Sequence, residues 1–502
     1  MTAAPAPLAR TSGRRGAELA LLLFGVLLAA AGQACVVIAR TNALNSRIAA
    51  DAGVLLVLAL VMHLAVRRFA PYADPLLLPL VVMLAGLGLT LIGRIDDSLS
   101  GTNYAPLQLV WLAIGTGVFV VVLGVVRDHR TLARFGYTAA LVGLVLLMLP
   151  AVLPASISEV NGARVWIRVS GFSLQPSEIA KVLLVIFFAA YLVAKRDVMS
   201  LVTRSFLGLQ LPRARDLGPV LLAWVASLAV LSRENDLGQS LLLFGVFVAM
   251  LYVATQRSSW LVIGLVLFAG GAYFAYHAFA HVRERFDIWL HAFKPSYVHD
   301  QSYQLVQGLY GFGGGGLLGT GLGRGHPQIV PFARTDFVFA ALGEELGLVG
   351  VVAVLVCYGL IVERGLRAAI GVRDSFGKML AGGLAASIAL QVFVIVGGVM
   401  RLIPLTGLTT PFLSYGGSSL VANFAIIALL LRISDAARRP PPPLRDDSPY
   451  GDAPTSIVRS AEARTVVVSR VRDDAGDDAD DAGDGADDDG EPTIAHVPDG
   501  AP

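Results

Sequence analysis

The sequence predicts an all-α integral membrane protein, a polytopic bundle of about twelve transmembrane helices, on three observations. Hydrophobic residues make up 55% of the 502 residues and charged residues only 15%, whereas a soluble domain carries about 25% charged residues. Apolar runs close to the roughly 20 residues that cross a bilayer recur along most of the chain. Basic residues gather in alternate connections between those runs, the pattern of cytoplasmic loops. The net charge of +2 conceals this asymmetry and an acidic C-terminus, so it gives no reason to expect a nucleic-acid partner.

The apolar runs lie near 18–39, 51–66, 75–94, 105–126, 136–154, 176–194, 217–233, 236–255, 258–277, 336–362, 376–400 and 410–432. The second is short, and the seventh and eighth nearly touch. Met1–Arg15 is polar and basic and no small-residue cleavage site follows the first run, which reads as a retained span. Arg67 and Arg68, then Arg127, Arg130 and Arg134, then Lys195 to Arg215, Arg257, and Arg364 to Lys378 fall on one side of such a bundle. Arg10, Arg14 and Arg15 at one terminus and Arg432, Arg438 and Arg439 at the other join them, so both termini are expected in the cytoplasm. Two outer loops, 155–175 and 278–335, break the bias and need a reason. Cys35 and Cys357 each sit in an apolar run and are expected to be separate buried thiols. Pro440–Pro443 form a stiff spacer, and the Asp- and Gly-rich stretch 473–491 beyond it cannot bury enough apolar surface to fold.

Several polar groups stand where lipid would make them costly. Pro176 suits the first turn of a helix, which sets Glu178 and Lys181 three apart on one face, able to pair. The pair is either an interhelical lock or the entrance of a cavity facing a charged headgroup. Asp236 opens the next span and is accounted for by helix capping. Glu344 and Glu345 lie inside or near a span and point about 100° apart on a helix. One is therefore expected at an interface and the other inside the bundle, in a structural or a cavity-lining role. Residues 404–419 mix prolines, glycines and hydroxyls ahead of the last span. They suggest a broken or re-entrant helix, or alternatively small residues for close packing.

The long loop 278–335 carries Arg283, Glu284, Arg285, Asp287, Lys294, His299 and Asp300, then a glycine-rich run from Gly311 to Gly325, closed by Arg324, Arg334 and Asp336. Long connections are usually functional or disordered, and Phe286, Trp289, Tyr303 and Tyr310 argue for order. No Lys-Ser/Thr follows the glycines, so they form no phosphate-binding loop. They are expected to permit tight backbone turns on the membrane surface.

Five blocks in order, NGARVWIRVSGFSLQPSEIAK, DLGQSLLLF, YQLVQGLYGFG, ARTDFVFAALGEELGLVG and LIPLTGLTTPFLSYGGSS, resemble the SEDS family (shape, elongation, division and sporulation), whose members include RodA and FtsW. The resemblance divides the chain into a cytoplasmic segment 1–17, an additional helix pair 18–70, a SEDS core 71–435 of about ten helices, and a tail 436–502. It implies a peptidoglycan glycosyltransferase that polymerises lipid II on the outer face of the cytoplasmic membrane, working with a class B penicillin-binding protein, the transpeptidase, among membrane lipids. The stretch from Gln391 to Ser419 and the extra helices are similar to the elongation branch in actinobacteria; the division branch is the alternative. In the family an aspartate in an Asp-Pro-x-Gly step precedes the Tyr-Gln-Leu element. Here Tyr297 occupies that place and Asp300 is the nearest aspartate, with Asp287 in reserve.

The implied reaction joins a sugar hydroxyl to the anomeric carbon of a lipid-pyrophosphate sugar. A carboxylate base on the hydroxyl is worth about 10²–10⁴-fold, and cations stabilise the leaving pyrophosphate. Asp300 is the expected base. Arg164, Lys181, Arg285 and Arg334 are expected on the pyrophosphates, with Glu178 orienting Lys181, and Asp336, Glu344 and Glu345 lining the substrate cavity. A pyrophosphate leaving group also suits Mg²⁺ or Mn²⁺. A flippase for the same lipid and a non-catalytic scaffold are the rival readings.

Overall fold

The computed structural model describes residues 8–99, 103–160, 163–169, 172–199 and 236–440, together with 204–206, 209–211, 222, 225–226 and 229. Each long helix follows from an apolar run bounded by turn or capping residues. They are α1 (Leu8–Thr41), α2 (Ser46–Phe69), α3 (Leu77–Asp96), α4 (Tyr104–Val125), α5 (Gly136–Val152) and, after the single turn α6 (Ala155–Ser158), α7 (Pro176–Met199). After these come α8 (Leu237–Thr255), α9 (Ser258–Ala278), three shorter helices described below, and then α13 (Val338–Gly371), α14 (Ser375–Val399) and α15 (Gly417–Arg438). Asn45, Asp236 and Asp374 cap α2, α8 and α14 with side-chain oxygens that accept from the first turn. Among the described residues eleven helices are long and apolar enough to cross a membrane. The expected span at 217–233 lies almost wholly outside the described residues.

Within 155–175 the described residues form two antiparallel strand pairs, β1 (Glu159–Val160) with β2 (Ala163–Arg164), and β3 (Ile167–Val169) with β4 (Phe172–Leu174). A third antiparallel pair joins β5 (Arg204–Phe206) to β6 (Leu209–Leu211).

The long loop is largely helical: α10 (Ala280–Leu290), α11 (Pro295–Val298) and α12 (Tyr303–Gly315). Reciprocal bonds tie α10 to the end of α14, with Trp289 Nε1 donating to Arg401 O (3.1 Å) and Arg401 Nε donating to Trp289 O (2.7 Å).

The glycine-rich run does more than turn on a surface. α13 breaks at Gly347 (φ 69°, ψ −170°), a backbone conformation open to glycine, and residues 316–321 fill the break. Leu348 N donates to Gly316 O (3.0 Å) and Val349 N to Leu317 O (3.1 Å); in return Thr320 N donates to Glu344 O (2.9 Å) and Gly321 N to Glu345 O (3.0 Å). Backbone groups orphaned by the kink are thereby satisfied, which an apolar environment demands. A Cβ on Gly319 would stand 2.2 Å from Glu345 O, so this approach needs bare backbone.

Residues 401–416 are non-helical and mostly buried, so the last helix starts at Gly417 and not near 410. The segment is tolerated because neighbours take up its backbone. Gln391 Nε2 donates to Thr409 O (2.9 Å), Arg285 Nη1 to Leu405 O (2.8 Å), and Tyr358 Oη to Pro411 O. Cys35, expected to be buried, lies on the outward face of α1, and Cys357 is half-buried. In a lipid-immersed bundle an apolar run has an outer face as well as an inner one, and a small soft thiol suits either.

Candidate functional site

Contacts sort the bundle into two ends. At one, Arg432 donates to Phe69 O (2.6 Å) and Leu123 O, His129 Nε2 meets Asp374 Oδ2 at 2.8 Å, and Arg438 pairs with Asp74. At the other, the C-terminal ends of α1 and α3 meet the starts of α4 and α13 and the long loop, and the candidate site is there.

A cavity of about 370 Å³ lies between α10, the start of α12, the approach to α13 and the irregular segment after α14. Its polar lining comprises His281, Glu284, Arg285, Gln301, Gln304, Asp336 and Thr406. Burial of the Asp336 carboxyl raises its pKa from 3.8 to about 6, against the opposing pull of the Arg285 guanidinium. Burial also lowers the His281 imidazole below its ordinary value, with Arg285 acting in the same direction. A carboxylate poised near neutrality beside a fixed cation is suited to accepting a proton.

A second cleft, of about 310 Å³, adjoins the first. Leu241, Phe244, Phe268, Ala275, Phe286 and Trp289 give it an apolar wall, and Thr406 lines both spaces. A charged chamber beside an apolar groove is what an amphipathic lipid with a polar head requires.

Deeper in the bundle, Lys181 Nζ donates to Glu178 Oε2 and to Gln391 Oε1, both at 2.7 Å, with Lys181 and Glu178 only 2% and 1% exposed. Asp236 is buried nearby, its side chain accepting from Gln239 N (2.9 Å), and Gln239 Nε2 reaches Ser177 O (3.2 Å). Helix-start geometry alone accounted for Asp236 in the sequence; its nearness to Arg285 and Asp336, whose charges it feels, carries no local signal.

The other expected residues are distributed as follows. Asp300 is exposed in the turn between α11 and α12, immediately before the cavity-lining Gln301. Asp287 lies on α10. Arg164, on β2, is half-exposed and pairs with Glu159 at 3.2 Å. Arg334 Nη1 donates to Asp96 Oδ1 (2.7 Å) and its guanidinium lies 4.3 Å from the Tyr104 ring centroid. Glu345 is fully buried and accepts from Arg94 Nε (2.9 Å) and Gly323 N (3.1 Å), while half-buried Glu344 accepts from His326 N (2.6 Å). Arg94 and Asp96 were not among the expected residues, although two charges ending an apolar run were a signal that could have found them. Among the described residues no group of three or more His, Cys, Asp and Glu is placed to hold a metal ion.

A kinked helical bundle with a charged chamber and an apolar groove at one end defines a multi-pass membrane protein. Residues 75–439 match the sequence model of the FtsW/RodA/SpoVE family, described as "Cell cycle protein", and the chain belongs to that family. It is 50% identical over 454 residues to "Peptidoglycan glycosyltransferase RodA" of Mycobacterium tuberculosis (strain ATCC 25618 / H37Rv), covering 89% of this chain and 96% of that one. A protein of the same name from Mycobacterium leprae is 49% identical over 463 residues, covering 91% and 96%. "Probable peptidoglycan glycosyltransferase FtsW" of Geobacter metallireducens is 32% identical over 343 residues, covering 68% and 87%. Among solved structures, a chain described under "Structural coordination of polymerization and crosslinking by a peptidoglycan synthase complex" superposes with a TM-score of 0.57 at 25% identity, over 73% of this chain and 99% of that one. The Thermus thermophilus Rod shape determining protein RodA gives 0.50 at 25% identity, over 73% and 98%.

Proposed function

We propose that the chain is a peptidoglycan glycosyltransferase that polymerises lipid II on the outer face of the cytoplasmic membrane, in the elongation branch of the family. The observation that carries this reading is the charged cavity opening beside an apolar groove, with Thr406 shared between them. It is supported by half-identity to relatives of that name along nearly their full length. The bias of basic residues supports a site end outside and both termini in the cytoplasm.

In this reading the isoprenoid tail lies along Phe244, Phe268 and Trp289 while the pyrophosphate enters the cavity toward Arg285. Lys181 adds positive potential from below, oriented by Glu178. Arg334, held by Asp96, and Arg164 on β2 flank the entrance. Asp300 stands at the turn whose next residue lines the cavity and acts as the base on the acceptor hydroxyl. The bond formed is from that oxygen to the anomeric carbon; the bond broken is from the same carbon to the pyrophosphate. A specific observation favours a second assignment of the base: Asp336 is inside the cavity with its pKa at about 6. A class B penicillin-binding protein is the transpeptidase partner, as the likeness to a synthase complex supports.

Detergent-solubilised full-length chain is expected to convert lipid II to glycan polymer, where no bilayer remains to be crossed. Absence of polymer under those conditions, with transport of the lipid in vesicles, would establish the flippase instead. Asp300→Asn is expected to lower the rate about 10²–10⁴-fold. Full activity in that variant, with the loss seen in Asp336→Asn, transfers the base to Asp336. Loop carboxylates replaceable without any loss of rod shape would leave only the scaffold.

A further inference from the structure

The helix α1 lies outside residues 75–439, the part matched by the family, yet its C-terminal end meets the glycine-rich run and the end of α3 beside the candidate site. Small residues bring α1 and α3 close together. A Cβ on Gly86 would stand 2.6 Å from Ala29 Cβ, and Gly32 faces Thr90. Parallel packing carries Val36, Ala39 and Arg40 to the end of α3 that holds Arg94 and Asp96.

Two contacts are made there. Gly323 of the glycine-rich run (φ +85°) seats directly on α1, where a Cβ would stand 3.0 Å from Val36 O and 3.1 Å from Ala39 Cβ. Arg40 donates to Asp97 O (3.2 Å), Arg94 O (3.5 Å) and Ser98 Oγ (2.5 Å), closing the C-terminal end of α3 with a cation. From both contacts polar bonds run toward the cavity, and the last step to it is along the chain from Arg334 to Asp336. Gly323 N donates to Glu345, and Arg94 bridges Glu345 Oε1 to Gly325 O (2.6 Å). On the same turn of α3, Asp96 accepts from Arg334, whose carbonyl in turn accepts from Tyr415 N at 2.8 Å. Two residues beyond Arg334 is Asp336, in the cavity wall.

We propose that α1 is a positioning element for the glycosyltransferase site, with Arg40 and Ala39 setting the placement of the Arg94–Glu345 and Asp96–Arg334 pairs and, through them, of Asp336. This inference rests on the proposed reaction. Arg40 touches neither substrate nor cavity, so it is a positioning residue and not a catalytic one.

The test uses full-length purified protein and lipid II polymerisation. Arg40 is exposed, so Arg40→Ala is expected to fold with an unchanged melting temperature. Its kcat is expected to fall about ten- to a hundredfold with KM little altered, the size of effect that misplacement of a site group produces. Arg40→Lys restores most of the rate, because a cation again meets the same carbonyls. Ala39→Leu, which pushes Gly323 off its seat, reproduces the loss, and Arg40→Ala combined with Asp96→Asn loses no more than Asp96→Asn alone. Full kcat in both Arg40→Ala and Ala39→Leu, or additive losses with Asp96→Asn, would overturn the proposal. Wild-type protein that makes no polymer is a different result, since it overturns the reaction itself.

Discussion

A buried lysine keeps its charge only if partners replace its water. Lys181 has Glu178 and Gln391, and Lys181→Met would leave Glu178 buried without its cation. Breaking such a pair costs about 3–5 kcal/mol, whereas replacing both members by apolar groups is often neutral. Lys181→Met is therefore expected to melt well below wild type in detergent, with Lys181→Met/Glu178→Leu recovering most of the difference. A double variant as unstable as the single one would mean that the pair is not the cause. Asp336 allows a second test. Its carboxyl is raised to about 6 by burial, so it is charged above that pH and neutral below. If it is the base, the rate rises with pH through about 6, and Asp336→Asn flattens that limb. For stability the sign is opposite: the contribution of this group is complete below 3.8 and is lost as pH rises through about 6. At this scale the Glu178–Lys181 pair was legible because three-residue spacing on a helix is local geometry. The Arg94–Glu345 and Asp96–Arg334 pairs join residues more than two hundred positions apart, and no local pattern couples them.

The elements were easier to read than their interruptions. Hydropathy and length mark each long helix, because lipid forces backbone groups to pair within the segment. α13, by contrast, reads as one continuous run through Leu346-Gly347-Leu348, although its backbone breaks there. The break exists because residues 316–321 arrive from outside the helix to take over its hydrogen bonds. Gly347→Ala is expected to cost at least about 1–2 kcal/mol for its left-handed φ, and more because a Cβ would stand 2.3 Å from Gly319 N. Hydrogen exchange checks this: the amides of Leu348 and Val349 should exchange faster in the variant than in wild type, while those of α15 are unchanged. Equal protection at both amides would show that the inserted segment is not what satisfies them. The long loop was correctly expected to be ordered from its aromatic residues, but α10 and α12 were not resolved as helices within it. Their apolar positions are few, and docking against residues 401–407 stabilises them.

Across the whole molecule, the proposed orientation makes a simple prediction. In a background with Cys35 and Cys357 replaced by Ser, Ser296→Cys in the exposed loop should react with a membrane-impermeant maleimide on intact cells. Arg67→Cys should react only after permeabilisation, and the reverse pattern would invert the bundle. That prediction needs the sequence alone, since the number of apolar runs and the side that carries the arginines are set by transfer free energies summed along the chain. The family, too, is legible in the sequence alone, because it rests on ordered blocks of residues. Only the tertiary structure decided which charges meet. It put Asp336 with Arg285 in one cavity, left Asp300 on an exposed turn beside it, and carried the end of α1 to the loop that ends at that cavity. Insertion into lipid is a sum over local composition and can be read from a string. Pairing of buried charges depends on which helix ends come together, and that is a property of the packed bundle.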